Sequence, residues 1–262
     1  MKDFMWKIIA ASVTGTSHAA NNLPCQDTFF YEVLRDENGK EVLILVASDG
    51  AGSAKNSLTG AQITCGKFAD ECRQTIENKG YFDDLNIQFI KQFFDKLQLQ
   101  LRAKAATDKQ NLPDYACTFL AAIVAEETAV FAQIGDGAVV YSICGEPEKF
   151  CLATIPQQGE YANSTNFVTD ANAAEIVHFQ QINVCIEQIA IFTDGLQRIA
   201  LDFKTNTPHA PFFRPMFAPL IAAKIADNLS DGLAHFLDSP KINERTDDDK
   251  TLILASRRTS QI

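Results

Sequence analysis

The sequence predicts an α+β fold in which antiparallel sheets are covered by helices. Three observations carry this. The apolar segments mostly occur as neighbouring arms of hairpins. Two long helical patterns stand between two groups of strands. Strict strand–helix–strand alternation, the mark of a parallel sheet, is absent. A chain of 262 residues is ample for a sizeable core.

Taken in order, "FMWKIIAASVTG" alternates as a strand, and Asp3 and Lys7 interrupt any resemblance to a signal peptide. "DTFFYEVLRDENGKEVLILVASDG" reads as a hairpin, and its Asn38-Gly39 pair suits a turn needing positive φ. "SLTGAQITCGKFADECRQTIENKG" has helical spacing and is expected to stop at Gly80. "FDDLNIQFIKQFFDKLQLQLRAKAATDK" is expected to be one long helix with an acidic first turn and a basic end, matching the helix dipole. Its Phe89, Phe93, Leu97 and Leu101 recur at four-residue steps as a core face.

"YACTFLAAIVAEETAVFAQIGDGAVVYSICGEPEKFCLAT" contains three or four strands, with turns at "EET" and "GDG" and a further hairpin at "CGEPEK". Residues 156–183 are polar and weakly periodic, and read as a loop or small excursion. "VCIEQIAIFTDGLQRIA" is a strand followed by a short helix, and "PHAPFFRPMF" reads as irregular because it is Pro-rich. "APLIAAKIADNLSDGLAHFLDS" supplies one or two helices, and "TDDDKTLILASRR" a last strand.

The net charge of −10 disfavours nucleic acid and anionic membranes, which both need a positive field. No apolar run approaches the roughly 20 residues needed to span a bilayer. The seven cysteines are odd in number and form no Cys-x-x-Cys pair, so a zinc cluster or disulfide framework is not expected. They read as reduced, mostly buried thiols of a cytoplasmic protein.

Five strand edges carry an aspartate: Asp27, Asp49, Asp136, Asp194 and the run 247–249. Gly follows three of them. Asp-Gly is a common turn pair, and a turn explains any one instance. Five together, after runs as apolar as "ILVASDG" and "IAIFTDG", imply carboxylates that converge at strand ends. Converging carboxylates repel, and divalent cations relieve the repulsion. Oxygen donors without His or Cys select Mg²⁺ or Mn²⁺. Two such ions can activate a water and neutralise a phosphate.

The ordered set "PCQDTF", "VASDGAGSAKNSLTGA", "FAQIGDGAVVY", "IFTDGLQR" and "DDDKTLILA" resembles the metal-dependent serine/threonine protein phosphatases of type 2C, over about residues 8–256. The bacterial branch with an "SH…PCQD" first motif is the most similar. The resemblance implies an αββα sandwich: two central antiparallel sheets flanked by helix pairs. It makes residues 1–262 a single catalytic domain, with the polar segment 156–183 as a mobile flap. It implies hydrolysis of phosphoserine or phosphothreonine on a protein by water held between two Mn²⁺ or Mg²⁺ ions. Asp49 takes the bridging position and Gly50 offers its carbonyl. Asp194 matches a metal ligand, and Asp27 would hold a metal or its water. Asp136 matches the acid that helps bind a third, weaker ion. Alignment on Thr251 puts the last ligand at Asp248, with Asp249 as the substitute. The branch implies, as partners, a serine/threonine kinase and a von Willebrand A-domain protein.

Three positions depart from the family pattern. Asn22 stands where an Arg usually clamps the phosphate, and His18 is the nearest side chain able to carry positive charge. Either His18 or backbone N–H groups would meet the phosphate, or His18 is a hydrogen-bonded structural residue. Ala51 stands where many members have a proposed proton donor, so water or His18 would protonate the leaving group. "GDG-A" replaces "GDS-R" around Asp136. A weakly active or inactive scaffold that binds a kinase or phosphoprotein is the alternative these gaps motivate.

Overall fold

A computed structural model describes residues 5–78, 81–157, 165–226 and 228–258. The expected stop at Gly80, the strand residue Phe4 and the middle of the polar segment, 158–164, lie outside them. The chain opens with β1 (Trp6–Val13), α1 (Thr16–Ala20), β2 (Thr28–Arg35) and β3 (Glu41–Ser48). Two long helices follow, α2 (Ser57–Glu77) and α3 (Ile87–Asp108). Next come β4 (Phe119–Val124), β5 (Ala129–Ile134), β6 (Ala138–Ile143) and β7 (Glu146–Leu152). After α4 (Ala173–Ile176), β8 (His178–Ile182) and β9 (Ile186–Phe192) come α5 (Gln197–Ala200), β10 (Leu201–Asp202) and β11 (Thr207–Pro208). The chain ends on α6 (Ala210–Ala222), α7 (Leu229–Leu237), α8 (Pro240–Asn243) and β12 (Lys250–Arg257).

Two five-stranded antiparallel sheets form, with strand orders β2-β3-β4-β5-β8 and β1-β12-β9-β6-β7. They stack face to face. Strand alternation makes this visible residue by residue. Val42, Ile44 and Val46 of β3 pack with α2 and α3, whereas Leu43, Leu45 and Ala47 face the other sheet. In β9 and β12, Ala190, Phe192, Leu252 and Leu254 pack under the late helices. Ile189, Ile191, Ile253 and Ala255 face inward between the sheets. Covering on both faces is why "VLILVA" reads as a continuous apolar run. The result is the αββα sandwich.

The hairpin turn holds Gly39 at φ 74, as expected. Four expectations are corrected. The long helix expected over 82–109 is split. Asp83 and Asp84 belong to a separate 3-10 turn, and α3 starts after Asn86, whose side chain accepts from the Gln88 and Phe89 amides at 2.9 and 3.3 Å. The first turn of α3 therefore carries no acid, nor its last turn a base.

The Pro-rich stretch is helical. Pro211, Pro215 and Pro219 recur at four-residue steps on the exposed side of α6, while Phe212, Phe213, Phe217 and Leu220 are buried. Carbonyls that lose a partner to proline face water, which can bond them. The polar segment contains α4 and an edge strand, β8, paired to β5. Finally, Cys144 and Cys185 form a disulfide, contrary to the expectation of reduced thiols. They lie just beyond Ile143 and Ile186, which pair across β6 and β9, so their Cα atoms are 5.4 Å apart despite a separation of 41 residues. The other five cysteines are free, three of them buried.

Candidate active site

Antiparallel register puts all five aspartate-bearing strand ends on one edge of the sandwich. Thr28 at the start of β2 pairs with Ser48 at the end of β3, which brings Asp27 beside Asp49. Phe192 near the end of β9 pairs with Leu252 near the start of β12, which brings Asp194 towards Asp248. "GDG" is not a hairpin turn. It carries the chain from β5 in one sheet to β6 in the other, so Asp136 sits at a crossing between sheets. The buried Gln133 pins that crossing by donating from Nε2 to the Gly135 and Gly137 carbonyls at 2.8 and 2.9 Å.

Asp49 is fixed through its backbone. Its N–H donates to Thr118 Oγ1 at 2.9 Å, and its carbonyl accepts from the Thr118 amide at 2.8 Å. Gly50 follows because space allows nothing larger. A Cβ there would lie 2.8 Å from the Ser57 Cβ and 2.9 Å from the Gln26 carbonyl oxygen. Gly195 is required in the same way, since a Cβ would overlap the Asp249 carbonyl.

The carboxylates act on one another's charge. Burial, then the charges of Asp27, Asp194 and Asp248, push the Asp49 carboxyl well above its ordinary pKa. Burial raises Asp27 to about 6, although the hydrogen bond from Thr193 opposes this. Asp194 rises to about 8 through burial and the charges of Asp136, Asp248 and Asp27. Asp136 is raised by burial, with Asp248 adding to it. Thus Asp27, Asp49, Asp136, Asp194 and Asp248 form one electrostatic group.

Among the described residues, no three acidic, His or Cys side chains are closed round a single point as a ready metal cage. Charge coupling reaches farther than ligand contact, so the carboxylates raise one another's pKa without closing on a single point. The donor set fits a hard divalent cation, because it is oxygen alone. Asp27 fits too. Its Oδ2 accepts from Thr193 Oγ1 at 2.7 Å, while its buried Oδ1 has no hydrogen-bond partner.

Asp249 and His18 are placed differently. Asp249 is 2% exposed. Its carboxylate accepts from the Gly15 and Gln26 amides, both at 2.6 Å, and from His18 Nδ1 at 2.8 Å. Those contacts use both oxygens to tie the α1 region and the Asp27 segment to β12. Asp248 spends only Oδ1 locally, on the Asp249 amide at 2.8 Å. His18 therefore meets the cluster through Asp249. Asn22 is exposed at φ 55, and Ala51 packs in a small apolar group with Ala54, Ala116 and Phe167. Sequence reasoning missed Thr193, whose hydroxyl donates to Asp27 and itself accepts from the Thr251 amide. The Thr before Asp194 in "IFTDG" was its visible trace.

A family model described as "Protein phosphatase 2C" matches residues 14–238. That range holds Asp27, Asp49, Asp136 and Asp194, and ends before Asp248. The chain is 36% identical over 252 residues to Serine/threonine-protein phosphatase 3 of Escherichia coli (strain K12), covering 95% of this chain and 98% of that protein. Among solved structures, the serine/threonine phosphatase Stp1 from Staphylococcus aureus superposes with a TM-score of 0.63 at 15% identity, over 98% of this chain and 96% of that one. PppA of Pseudomonas aeruginosa, titled a key regulatory component of T6SS, gives 0.64 at 11% identity, over 97% and 98%.

Proposed function

The chain belongs to the protein phosphatase 2C family, and we propose that this serine/threonine protein phosphatase works with Mg²⁺ or Mn²⁺ held by its five clustered aspartates. The observation that carries this reading is the register that brings carboxylates from separate strand ends to one edge of the sandwich, where their charges raise one another's pKa. In the proposal two ions are held by Asp49, the Gly50 carbonyl, Asp194, Asp248 and Asp27, and a third, weaker one by Asp136. When bound, the ions supply neutralising charge for the phosphoryl oxygens and a nucleophilic water at neutral pH.

The chain's own residues prepare the site. Thr193, itself bonded by the Thr251 amide at 3.0 Å, orients Asp27 so that one oxygen stays free. Asp249 holds the 15–18 and 26–27 segments in register with β12, and His18 is a positioning residue on that carboxylate. The apolar surroundings of Ala51 offer no proton donor there, so in this reading water or His18 protonates the leaving group. The reading takes residues 1–262 as one catalytic domain, the 156–183 segment apart from its sheet strand β8 as the flap, and a kinase and a von Willebrand A-domain protein as cytoplasmic partners. No helix among the described residues is long and apolar enough to cross a membrane.

The test is turnover of a phosphoserine peptide with added Mn²⁺ or Mg²⁺ and with chelator. Activity that persists unchanged in chelator contradicts the proposal. The exposed Asn22 and apolar Ala51 favour a second reading, a scaffold that binds phosphoprotein without hydrolysis. Calorimetric binding of the peptide with no turnover at saturating Mn²⁺ would select it.

A further inference from the structure

A cavity of about 820 Å³ opens between the β10–β11 hairpin and helices α5, α6, α7 and α8. Arg198, Lys204, Lys241 and Arg245 line it, and Asp202 is the one acid on its wall. All four cations are exposed, and among the described residues none is engaged in an ion pair or a side-chain hydrogen bond. The chain as a whole carries −10. Four unpaired like charges in one cavity repel, so the face is complementary to an anionic partner.

The rest of the wall is apolar, including Phe212, Met216 and Phe236. Phe203 is 56% exposed and divides this cavity from a second one of about 350 Å³ that reaches Ile155 and Pro156. A free anion or a nucleic-acid backbone would leave these apolar walls unused. A peptide with acidic residues beside a large apolar one would use both. The cavity also shares chain segments with the carboxylate cluster. Arg198 lies four residues after Asp194, and Arg245 three residues before Asp248.

We propose that this cavity docks an acidic segment of the phosphoprotein substrate, anchored by a large apolar side chain and flanking the phosphoresidue. This rests on the phosphatase reading of the carboxylate site. The test compares wild type with Lys204→Glu/Lys241→Glu on a phosphoserine peptide flanked by Glu and Leu, on one flanked by Lys and Ser, and on p-nitrophenyl phosphate. Wild type should prefer the acidic peptide, and the double variant should lower kcat/KM for it about tenfold, with salt acting in the same direction. For p-nitrophenyl phosphate, which carries no acidic or leucine flank to dock, kcat/KM should stay within about twofold.

Metal-dependent turnover with no preference between peptides, or equal losses on all substrates, overturns the docking proposal while leaving the phosphatase reading intact. Fluorescence anisotropy with the unphosphorylated acidic peptide separates the converse. Binding that the double variant abolishes, without turnover of any substrate, overturns the phosphatase reading and with it the assignment of the bound peptide as substrate, while leaving an acidic-peptide site. Tighter binding of single-stranded DNA than of the peptide, or a concentration-dependent dimer that the double variant dissolves, also overturns docking.

Discussion

Two adjacent aspartates do opposite jobs. Asp249 is spent on three donors, whereas Asp248 faces the charges of Asp49, Asp136 and Asp194. Asp249→Asn would turn an amide N–H₂ towards another donor and should cost about 2–4 kcal/mol of unfolding free energy. Asp248→Asn removes a repelling charge and keeps an acceptor for the Asp249 amide. In chelator it should leave stability unchanged or raised, yet weaken Mn²⁺ binding. Thermal unfolding in chelator with Mn²⁺ titration checks both, and the reverse pattern would exchange the two roles. The carboxylates themselves were legible in the sequence. Which neighbour of 248 and 249 is free was not, because that depends on backbone donors of Gly15 and Gln26, more than 220 residues away.

At the level of elements, legibility followed pattern. Strands buried on both faces and long amphipathic helices announce themselves by apolar runs and period. What escaped were elements whose local signal opposes their packing. In α6 three prolines hid a helix whose other face buries Phe212, Phe213 and Phe217. Phe213 packs against Phe150, Phe192 and Phe212 with ring centroids 5.1–5.9 Å apart. Phe213→Ala should therefore cost about 3–5 kcal/mol. Pro215→Ala, on the exposed side, restores an amide donor and should be neutral or stabilising by up to about 1 kcal/mol. Urea unfolding would measure both, and a large loss from Pro215→Ala would contradict this account of α6. The Cys144–Cys185 bond escaped because only the β6–β9 register brings the two residues together.

Over the whole molecule, the sandwich gathers carboxylates that repel when they are all ionised. Their raised pKa values set the sign of a pH effect. An unfolded Asp titrates near about 4. Asp27 and Asp194 titrate at about 6 and about 8 in the fold. Between those limits the folded state without metal binds more protons than the unfolded chain, so its stability falls as pH rises. A cation competes with those protons, so the rise in Tm on adding Mn²⁺ should be larger at pH 8 than at pH 5.5. Equal rises at both pH values would count against the carboxylates as the binding site. The central claim is that residues from separate strand ends make one metal-dependent hydrolytic centre, and Asp49 is where their charges meet. The most direct measurement is phosphoserine-peptide turnover against Mn²⁺ concentration for wild type and Asp49→Asn. The account predicts no turnover in chelator, saturable activation by Mn²⁺, and a loss of about 100-fold or more in the variant; metal-independent turnover, or a variant as active as wild type, would contradict it.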